Sequence, residues 1–427
     1  MILIKNGTVY GAPSFPEPAQ LDILIKDGKI TAISGHIPET AGMKVINAAG
    51  LTVAPGLVDM HVHFRDPHSG STPAAEDIFS GAEAAAAGGF TLCCCMPNTS
   101  PVADRAEIIE YIIKKARQAP VKVLPYGAVT VGQRGEELTD FDILAKAGAV
   151  ALSDDGNTIQ SAAVMREAMI KAKKHDMLII SHCEDETLAG NHAVNEGHAS
   201  KALKLPGRPA IAEELMIARD IMLARQTGAR LHIAHVSTGG SVDIIRKAKQ
   251  AGINITAETC PQYFTLTDGE VLKQGSLARV NPPLRSLSDM EEIINGLADG
   301  TIDAIVTDHA PHTTEAKSLP LSEAPSGMAG LETSLALTLN LYHNKKLPLE
   351  KIIELMSVNP ARILGIEAGT LRIGFDADIV IFDPEITWIV DPAHFKSKAR
   401  NNPFGGMKVC GRIICTVSRG KEVFNNI

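Results

Sequence analysis

A chain of 427 residues, of which 45% are hydrophobic, is long enough to bury a large core and to form more than one domain. Its net charge of −8, with acidic and basic residues interspersed, provides no basic face for nucleic acid and disfavours an anionic membrane surface. No apolar run is long enough to span a bilayer, and the N-terminal segment MILIKNGTVYG lacks the apolar core of a signal peptide. We therefore expect a cytoplasmic protein that binds neither nucleic acid nor a membrane.

Both ends of the chain have the same pattern of short apolar runs separated by turn residues. ILIKNG and LDILIKDGKI near the start, and ADIVIFD and GRIICTVSRGKEVF near the end, are typical of short antiparallel strands with Asn-Gly and Asp-Gly turns. Neither end has enough strands for a stable sheet of its own. We predict that residues 1–54 and 365–427 meet in one small β-domain, which flanks a larger domain over residues 55–364.

The run LTVAPGLVDM leads directly into His61-Val62-His63-Phe64-Arg65. In a strand, the two-residue spacing puts both imidazoles on one face, where their nitrogens suit a divalent zinc, iron or nickel ion. Arg65 has the same parity, so we expect its guanidinium beside the metal, where it can bind a substrate carboxylate.

Four later segments repeat this design, because each begins with an aliphatic run and ends on His or Asp. They are ALSDDG with Asp154 and Asp155, LIISHCED with His182, LHIAHVS with His232 and His235, and DAIVTDHAPH with Asp308, His309 and His312. Such runs predict strands buried on both faces, as in parallel sheets. Metal-ligand residues at the carboxyl ends of five such strands indicate the active site of a (β/α)8 barrel.

The interval between the two terminal segments alternates strands and helices, as a parallel sheet requires. Eight strands are predicted to end near Met60, Met96, Thr130, Ser153, Ser181, Ala234, Ala257 and Val306. Helices are predicted in PAAEDIFSGAEAAAAGG, DRAEIIEYIIKKARQ, AAVMREAMIKAKKH, IAEELMIARDIMLARQTG and SVDIIRKAKQAG. The longer intervals 184–210 and 261–300 are expected to line the substrate, and the Ser-, Pro- and Gly-rich segment 313–330 is predicted to be a mobile flap.

Three consecutive cysteines, Cys93, Cys94 and Cys95, lie within one predicted strand. Neighbouring side chains in a strand point to opposite faces, so this run does not indicate a disulfide framework. It also lacks the CxxC spacing of a zinc or redox site. We expect small buried side chains in a reducing compartment.

With HVHFRDP, MPNTSP, SDDG, SHCED, AHVST, RVNPPLR, TDHAPH and GMAGLE in this order, the chain resembles the amidohydrolase superfamily. Within that superfamily it is most similar to the bacterial class I dihydroorotases, over nearly its whole length. The resemblance implies an α/β fold: a metal-dependent (β/α)8 TIM barrel with a small composite β-sandwich domain built from both termini.

The resemblance also implies two metal ions, usually Zn²⁺. One would be held by His61, His63 and Asp308 and the other by His182 and His235, with Asp155 as the bridge between them. Asp154 would then orient ligands from behind, and His232 would be a buried, hydrogen-bonded histidine.

The reaction implied by the resemblance is the reversible hydrolysis of (S)-dihydroorotate to N-carbamoyl-L-aspartate, a step of pyrimidine biosynthesis, through a hydroxide held between the metals. Asp308 would be the catalytic proton shuttle. The expected substrate-binding residues are Arg65, Asn98 and His312 for the carboxylate, Asn281 for the ring edge, and the backbone of Ser326 and Gly327. Ser326 departs from the family, which more often has an aromatic residue there.

Two other functions are compatible with the sequence. Many relatives, including hydantoinases and dihydropyrimidinases, use a carboxylated lysine as the bridge; the fourth-strand motif here has aspartate instead, but ETCPQYF resembles both branches. The first alternative is therefore another cyclic amidohydrolase, a hydantoinase, dihydropyrimidinase or allantoinase. The second is a non-catalytic scaffold for aspartate carbamoyltransferase. Expected partners are the small-molecule substrate and further copies of the chain in a homodimer or higher oligomer, with aspartate carbamoyltransferase as a candidate third partner.

Overall fold

The computed structural model describes residues 1–69 and 74–426. In chain order its strands are β1 Ile2–Val9, β2 Ala19–Lys26, β3 Lys29–Ser34, β4 Lys44–Asn47, β5 Thr52–Pro55, β6 Leu57–Val62, β7 Phe90–Cys95, β8 Lys122–Pro125, β9 Leu152–Ser153, β10 Ile179–Ser181, β11 Leu231–Ile233, β12 Ile255–Thr259, β13 Ala304–Ile305, β14 Ile379–Ile389, β15 Lys408–Ser418 and β16 Lys421–Asn425.

The helices follow the strands of the central region. They are α1 Ile78–Ala87, α2 Ala106–Ala116, α3 Phe141–Ala147, α4 Ala162–Lys174, α5 Glu186–Ala189, α6 His198–Leu203, α7 Ile211–Thr227, α8 Gly239–Gln250, α9 Pro261–Thr265, α10 Gly269–Gln274, α11 Leu287–Asp299, α12 Thr314–Lys317, α13 Ser334–His343, α14 Leu349–Ile353 and α15 Asn359–Leu364. Short 3₁₀ turns cover Val131–Gln133, Gly275–Ala278 and Pro392–His394, and one π-helical turn covers Glu354–Val358.

Strands β6 to β13 form the TIM barrel that the sequence predicted. They pair in parallel in two groups, β6-β7-β8 and β9-β10-β11-β12-β13. Parallel bridges join the groups at Gly127 with Leu152 and at Val62 with His309, which closes the ring. Because all eight strands run the same way, their carboxyl ends meet at one rim, where such barrels carry their active sites.

A buried aspartate strengthens the closure between the first and last barrel strands. Asp59 on β6 accepts hydrogen bonds from the backbone amide of Thr307 at 3.2 Å and from its hydroxyl at 2.6 Å. It also accepts from the amide of His61 at 3.0 Å. Thr307 immediately precedes Asp308, so this contact fixes the backbone on which two predicted metal ligands lie.

The termini meet in a separate eight-stranded sheet with the order β16-β15-β14-β5-β1-β2-β3, in which β4 also pairs with β1. Its inward side chains, among them Ile23, Val53 and Ile381, form a core of their own. Most of its strand pairs are antiparallel, as predicted, but β1 runs parallel to both β4 and β5. The domain bounds 1–54, 55–364 and 365–427 remain a prediction.

Two local predictions are corrected by the backbone. Asp27-Gly28 forms the predicted hairpin turn between β2 and β3, but Asn6-Gly7 lies inside β1 at a register shift. Gly7 is needed there because a Cβ would lie 2.4 Å from a methyl group of Val53. The third barrel strand ends at Pro125 and not near Thr130, since the chain beyond it crosses to β9 through single backbone contacts such as Val129 N to Ser153 O.

The predicted helices are present as α1, α2, α4, α7 and α8, within a few residues of their expected ends. The first interval was predicted to begin at Pro73, which lies outside the described residues, and α1 itself begins at Ile78, after the N-cap Asp77. Cys93, Cys94 and Cys95 on β7 are free thiols and buried, as expected.

Candidate metal centre

The first group of predicted ligands lies at the ends of β6 and β13. His61 and His63 project to the same side of β6, with ring centroids 5.3 Å apart. Oδ1 of Asp308, three residues after β13, lies 3.1 Å from Nε2 of His63 and 3.6 Å from Nε2 of His61. Strand parity therefore puts His61 and His63 on one side, and the adjacent chain after β13 brings Asp308 to them.

The second group comes from the ends of β10 and β11. His182 directly follows β10, and His235 lies two residues after β11. Nδ1 of His182 and Nε2 of His235 are 2.8 Å apart, so both nitrogens point at one place. His232 is not part of this group, because its imidazole is buried between Glu258 and Thr256 at 3.0 and 2.7 Å, as predicted.

Asp155 lies between the two groups and divides its oxygens between them. Oδ2 lies 3.3 Å from Nε2 of His61 and 3.4 Å from Nε2 of His63. Oδ1 lies 3.4 Å from Nδ1 of His182 and 3.1 Å from Nε2 of His235. A carboxylate in this position can ligate one cation with each oxygen.

The prediction that Asp154 orients ligands from behind was wrong, because its carboxylate points to the loop after β8. Its Oδ1 accepts from the backbone amides of Val129 and Thr130 at 2.8 and 3.1 Å, and its other oxygen accepts from the Thr130 hydroxyl. Burial, only partly offset by these donors, raises the pKa of Asp154 to about 6. Asp154 therefore holds the loop after β8 and does not face either histidine pair.

The donor set fits divalent cations. His61, His63 and Asp155 form one group of converging ligand atoms, and Asp155, His182 and His235 form a second; both groups are buried. Nε2 of His61 is buried without a hydrogen-bond partner among the described residues. Buried polar atoms usually have a partner, and a metal ion would supply one for this nitrogen. Burial would raise the pKa of Asp155, but the surrounding imidazoles, His61 above all, hold it well below its ordinary value.

The predicted ligands His61 and His63 are oriented by residues behind them. Nδ1 of His61 donates to Oε1 of Glu258 at 2.6 Å, and Nδ1 of His63 donates to Oδ1 of Asn98 at 2.8 Å. A carboxylate or amide behind a histidine fixes its tautomer and leaves Nε2 free to bind a metal. Glu258 was missed by the sequence analysis; its signal was a single acid inside the buried strand ITAET, next to a histidine-bearing strand.

Three residues of the centre have positive φ although none is glycine: Arg65 (φ 57°), His235 (φ 33°) and Asp308 (φ 46°). Left-handed backbone costs an ordinary side chain about 1 kcal/mol or more and is concentrated at functional sites. Strand parity therefore does not extend to Arg65, because β6 ends at Val62 and the chain turns before it. Arg65 is nevertheless near enough to lower the pKa of His63, after the larger effect of burial.

The remaining predicted substrate residues surround the centre in two loops. Nε2 of His312 donates to the carbonyl of Ser326 at 2.7 Å, and burial with the nearby Arg65 lowers the pKa of His312 to about 3. His312 is therefore neutral at physiological pH and cannot attract a carboxylate by charge. Gly327 (φ 132°) packs against Ala310, where a Cβ would lie 2.6 Å from the alanine methyl.

Asn281, in the loop before α11, belongs to a polar group that the sequence did not reveal. Its Oδ1 accepts from Arg208, and its Nδ2 lies 3.4 Å from both Nε2 of His182 and Oε2 of Glu184. Arg208 also pairs with Glu184 at 2.8 Å. His309 faces the opposite side of the rim, 3.4 Å from Glu76.

Three comparisons place this chain among known proteins. The model of the family described as dihydro-orotase-like matches residues 50–241. The dihydroorotase of Pelotomaculum thermopropionicum is 48% identical over 427 residues, covering 100% of this chain and 99% of that protein. The dihydroorotase of Clostridioides difficile is 46% identical over 426 residues and is covered in full.

Solved structures with the same fold include hydantoinases. L-Hydantoinase (dihydropyrimidinase) from Arthrobacter aurescens has a TM-score of 0.88 at 30% identity, covering 99% of this chain and 96% of that one. Dihydropyrimidinase from Brevibacillus agri has a TM-score of 0.85 at 25% identity, covering 99% and 95%. No helix within the described residues has both the length and the hydropathy to cross a bilayer.

Proposed function

Given that the chain belongs to the dihydroorotase family of metal-dependent amidohydrolases, as its motifs predicted, we propose that this centre interconverts L-dihydroorotate and N-carbamoyl-L-aspartate. The observation that carries the proposal is the bridging position of Asp155, with each carboxylate oxygen within 3.4 Å of a different histidine pair. In hydrolysis, water attacks the ring carbonyl, a C–O bond forms, the ring C–N bond breaks and the nitrogen takes a proton.

The residues that would hold the cations are His61, His63 and Asp308 on one side and His182 and His235 on the other, with Asp155 shared. We propose two ions per chain, and Zn²⁺ as the metal, because imidazole and carboxylate donors suit zinc. Divalent cations here would polarise the ring carbonyl and lower the pKa of water, so that attack proceeds at neutral pH.

Asp308 is the residue proposed to move the proton. Its Oδ1 lies 3.1 Å from Nε2 of His63, so the carboxylate faces the space between the histidine pairs. It would accept the proton of the attacking water and deliver it to the departing ring nitrogen. In the ring-closing direction the same carboxylate would return the proton to the leaving water.

Arg65 is proposed to select the substrate by binding the carboxylate that does not react. Its guanidinium makes no hydrogen bond or ion pair with the described side chains, and burial lowers its pKa although Asp308 and Asp155 oppose this. A planar cation fork of this kind is suited to two parallel hydrogen bonds from one carboxylate. Asn98 and His312 would shape the same pocket, Asn281 would bind the ring edge, and the backbone of Ser326 and Gly327 would contact the ring.

The test is a spectrophotometric assay of the zinc-loaded protein on dihydroorotate, hydantoin, dihydrouracil and allantoin. We expect kcat/KM to be highest for dihydroorotate. The hydantoinase alternative is favoured by the similarity to L-hydantoinase, and faster turnover of hydantoin or dihydrouracil would establish it in place of our proposal. No turnover of any substrate at full metal content would favour the scaffold.

The setting of the enzyme is also a proposal. We propose a cytoplasmic homodimer or higher homo-oligomer, and an association with aspartate carbamoyltransferase would be tested by co-purification. Assays of the protein alone and with added aspartate carbamoyltransferase would test whether the activity requires that partner.

A further inference from the structure

Lys317, at the end of α12 in the segment 313–330, is a buried cation that the proposed mechanism does not use. The residue is only 4% exposed. Lysine is almost never buried to this extent without an acidic partner. No carboxylate pairs with it among the described residues, and the charged or titratable groups that act on it are Arg279 and His312.

The Lys317 ammonium is instead surrounded by backbone carbonyls. Nζ donates to the carbonyls of Arg279 at 3.1 Å, Pro325 at 3.0 Å and Gly327 at 3.0 Å. An ammonium has three donors and a neutral amine has two, so only the protonated form matches all three acceptors. The three carbonyls therefore match the donors of the ammonium form.

These three carbonyls belong to the two loops that carry the predicted ring contacts. Arg279 lies two residues before Asn281, while Pro325 and Gly327 flank Ser326. The amide of Gly327 also donates to the carbonyl of Arg279 at 3.0 Å, so the two loops are already adjacent.

Segment 313–330 is also hydrogen-bonded to the chain that follows β13 and carries Asp308. The amide of Ala310 donates to the carbonyl of Met328 at 2.8 Å, and His309 and Met328 form a parallel bridge. A displacement of residues 325–328 would therefore move the backbone next to Asp308 and the Ser326 carbonyl that holds His312.

We propose that Lys317 is a positioning residue. Its ammonium joins segment 313–330 to the loop of Asn281 and thereby holds the backbone of Ser326 and Gly327 where it can contact the substrate. This inference takes the identity of the substrate from the proposed function, whereas the contacts of Lys317 do not depend on it. It predicts that Lys317 acts on substrate affinity and not on metal binding.

The experiment compares Lys317→Met, which keeps the aliphatic stem, with Lys317→Gln, which keeps two donors. The matched control is Lys346→Met, since Lys346 is exposed and lies between α13 and α14, outside the two loops that Lys317 joins. For Lys317→Met we expect KM for dihydroorotate to rise about tenfold or more, as the loss of several buried hydrogen bonds implies, with kcat changed much less. The KM of Lys317→Gln should lie between those of the native protein and Lys317→Met. The metal content of both variants should match that of Lys346→Met.

The pH dependence supplies a readout that a merely structural role would not change. Burial, with the nearby Arg279, lowers the pKa of Lys317 to about 7. Lys317 is therefore protonated below that pH and loses its third donor as pH rises through the pKa. The KM of the native protein should accordingly increase above about pH 7. Lys317→Met should have a raised KM at every pH and lack this increase.

Hydrogen exchange separates this proposal from the proposed function. The Gly327 amide should exchange faster in Lys317→Met than in Lys346→Met, whatever substrate the enzyme uses. If the native protein turns over dihydroorotate, but Lys317→Met matches the control in KM and in exchange, the positioning role is wrong. Faster exchange in a protein inactive on dihydroorotate would contradict the substrate assignment and leave the loop contact intact.

Discussion

Asp154 and Asp155 are neighbours with the same side chain but opposite environments. Asp155 faces four imidazoles, whereas Asp154 accepts hydrogen bonds from Val129 and Thr130. We expect Asp155→Ala to lose metal at both positions and Asp154→Ala only to weaken binding. Metal-to-protein ratios after gel filtration measure this.

Reconstitution of the metal-free protein is the matching control. A bridge made by aspartate needs no carbon dioxide, whereas a carboxylated lysine does. Zinc alone should therefore restore activity. A strict requirement for bicarbonate would contradict the assignment of Asp155.

Asp308 is proposed as both a ligand and a proton shuttle, and one substitution separates the two roles. Asp308→Asn keeps the size and one oxygen but removes the proton acceptor. We expect kcat to fall about 10²–10⁴-fold, the usual contribution of positioned acid–base catalysis, with most of the metal retained. Near-native rates at full metal content would leave Asp308 as a ligand only.

At the scale of single elements, β12 contributes to the centre without supplying a ligand. Its Glu258 joins His61 on β6 to His232 on β11, at 2.6 and 3.0 Å. Burial would raise the pKa of Glu258, but the two histidines outweigh it and lower the pKa to about 2, so the carboxylate is charged at any physiological pH.

Glu258→Gln retains the shape of this contact but loses the charge that makes His61 a good ligand. Removal of such a partner typically costs 10–100-fold in metal affinity. We expect that loss at the cation held by His61 and His63, and little change at the other. Competition with a chelator, followed as two release phases, measures it; equal loss at both cations, or at neither, would contradict this role.

At the scale of the whole molecule, the chain after β14 contacts the barrel at both ends. Asn401 donates to the carbonyl of Gly327 at 3.0 Å at the rim, and a second set of contacts lies at the amino end of β8. Nζ of Lys122, the first residue of β8, pairs with Asp378 at 2.8 Å and with Asp376 at 2.9 Å. Arg419 donates to the carbonyl of Ala119 at 2.7 Å. Because parallel barrel strands have their active sites at their carboxyl ends, these contacts at the amino end should support stability and not catalysis.

We therefore expect Lys122→Met to destabilise the protein by about 1–3 kcal/mol without changing kcat, since it removes the cation that pairs with the buried carboxylate of Asp378. Burial would lower the pKa of Lys122, but the two aspartates outweigh it and raise the pKa above 10.5. Its stabilisation is thus present below pH 10.5 and lost as pH rises through the raised pKa. Urea midpoints of this variant and Lys346→Met, at neutral and strongly alkaline pH, test both statements.

Much of this fold follows from local sequence patterns. Aliphatic runs ending in His or Asp predicted the barrel strands, and the HxH spacing predicted that His61 and His63 share a face, because side-chain direction in a strand repeats every two residues. The pattern failed where the backbone leaves the strand, at Arg65 and at the crossing after Pro125. There the backbone conformation depends on contacts with distant segments of the same chain, which a local pattern does not encode.

The sequence by itself determined the family, the barrel and the residues that converge at its rim, because strand periodicity and chain direction are local properties. Only the tertiary structure decided which distant groups come into contact. Glu258 lies 197 residues from His61 along the chain, and Lys317 lies 38 residues from Arg279. Such contacts depend on how the ring closes and on which buried donor each acceptor reaches. A buried polar group must find a partner, but the sequence does not specify which one.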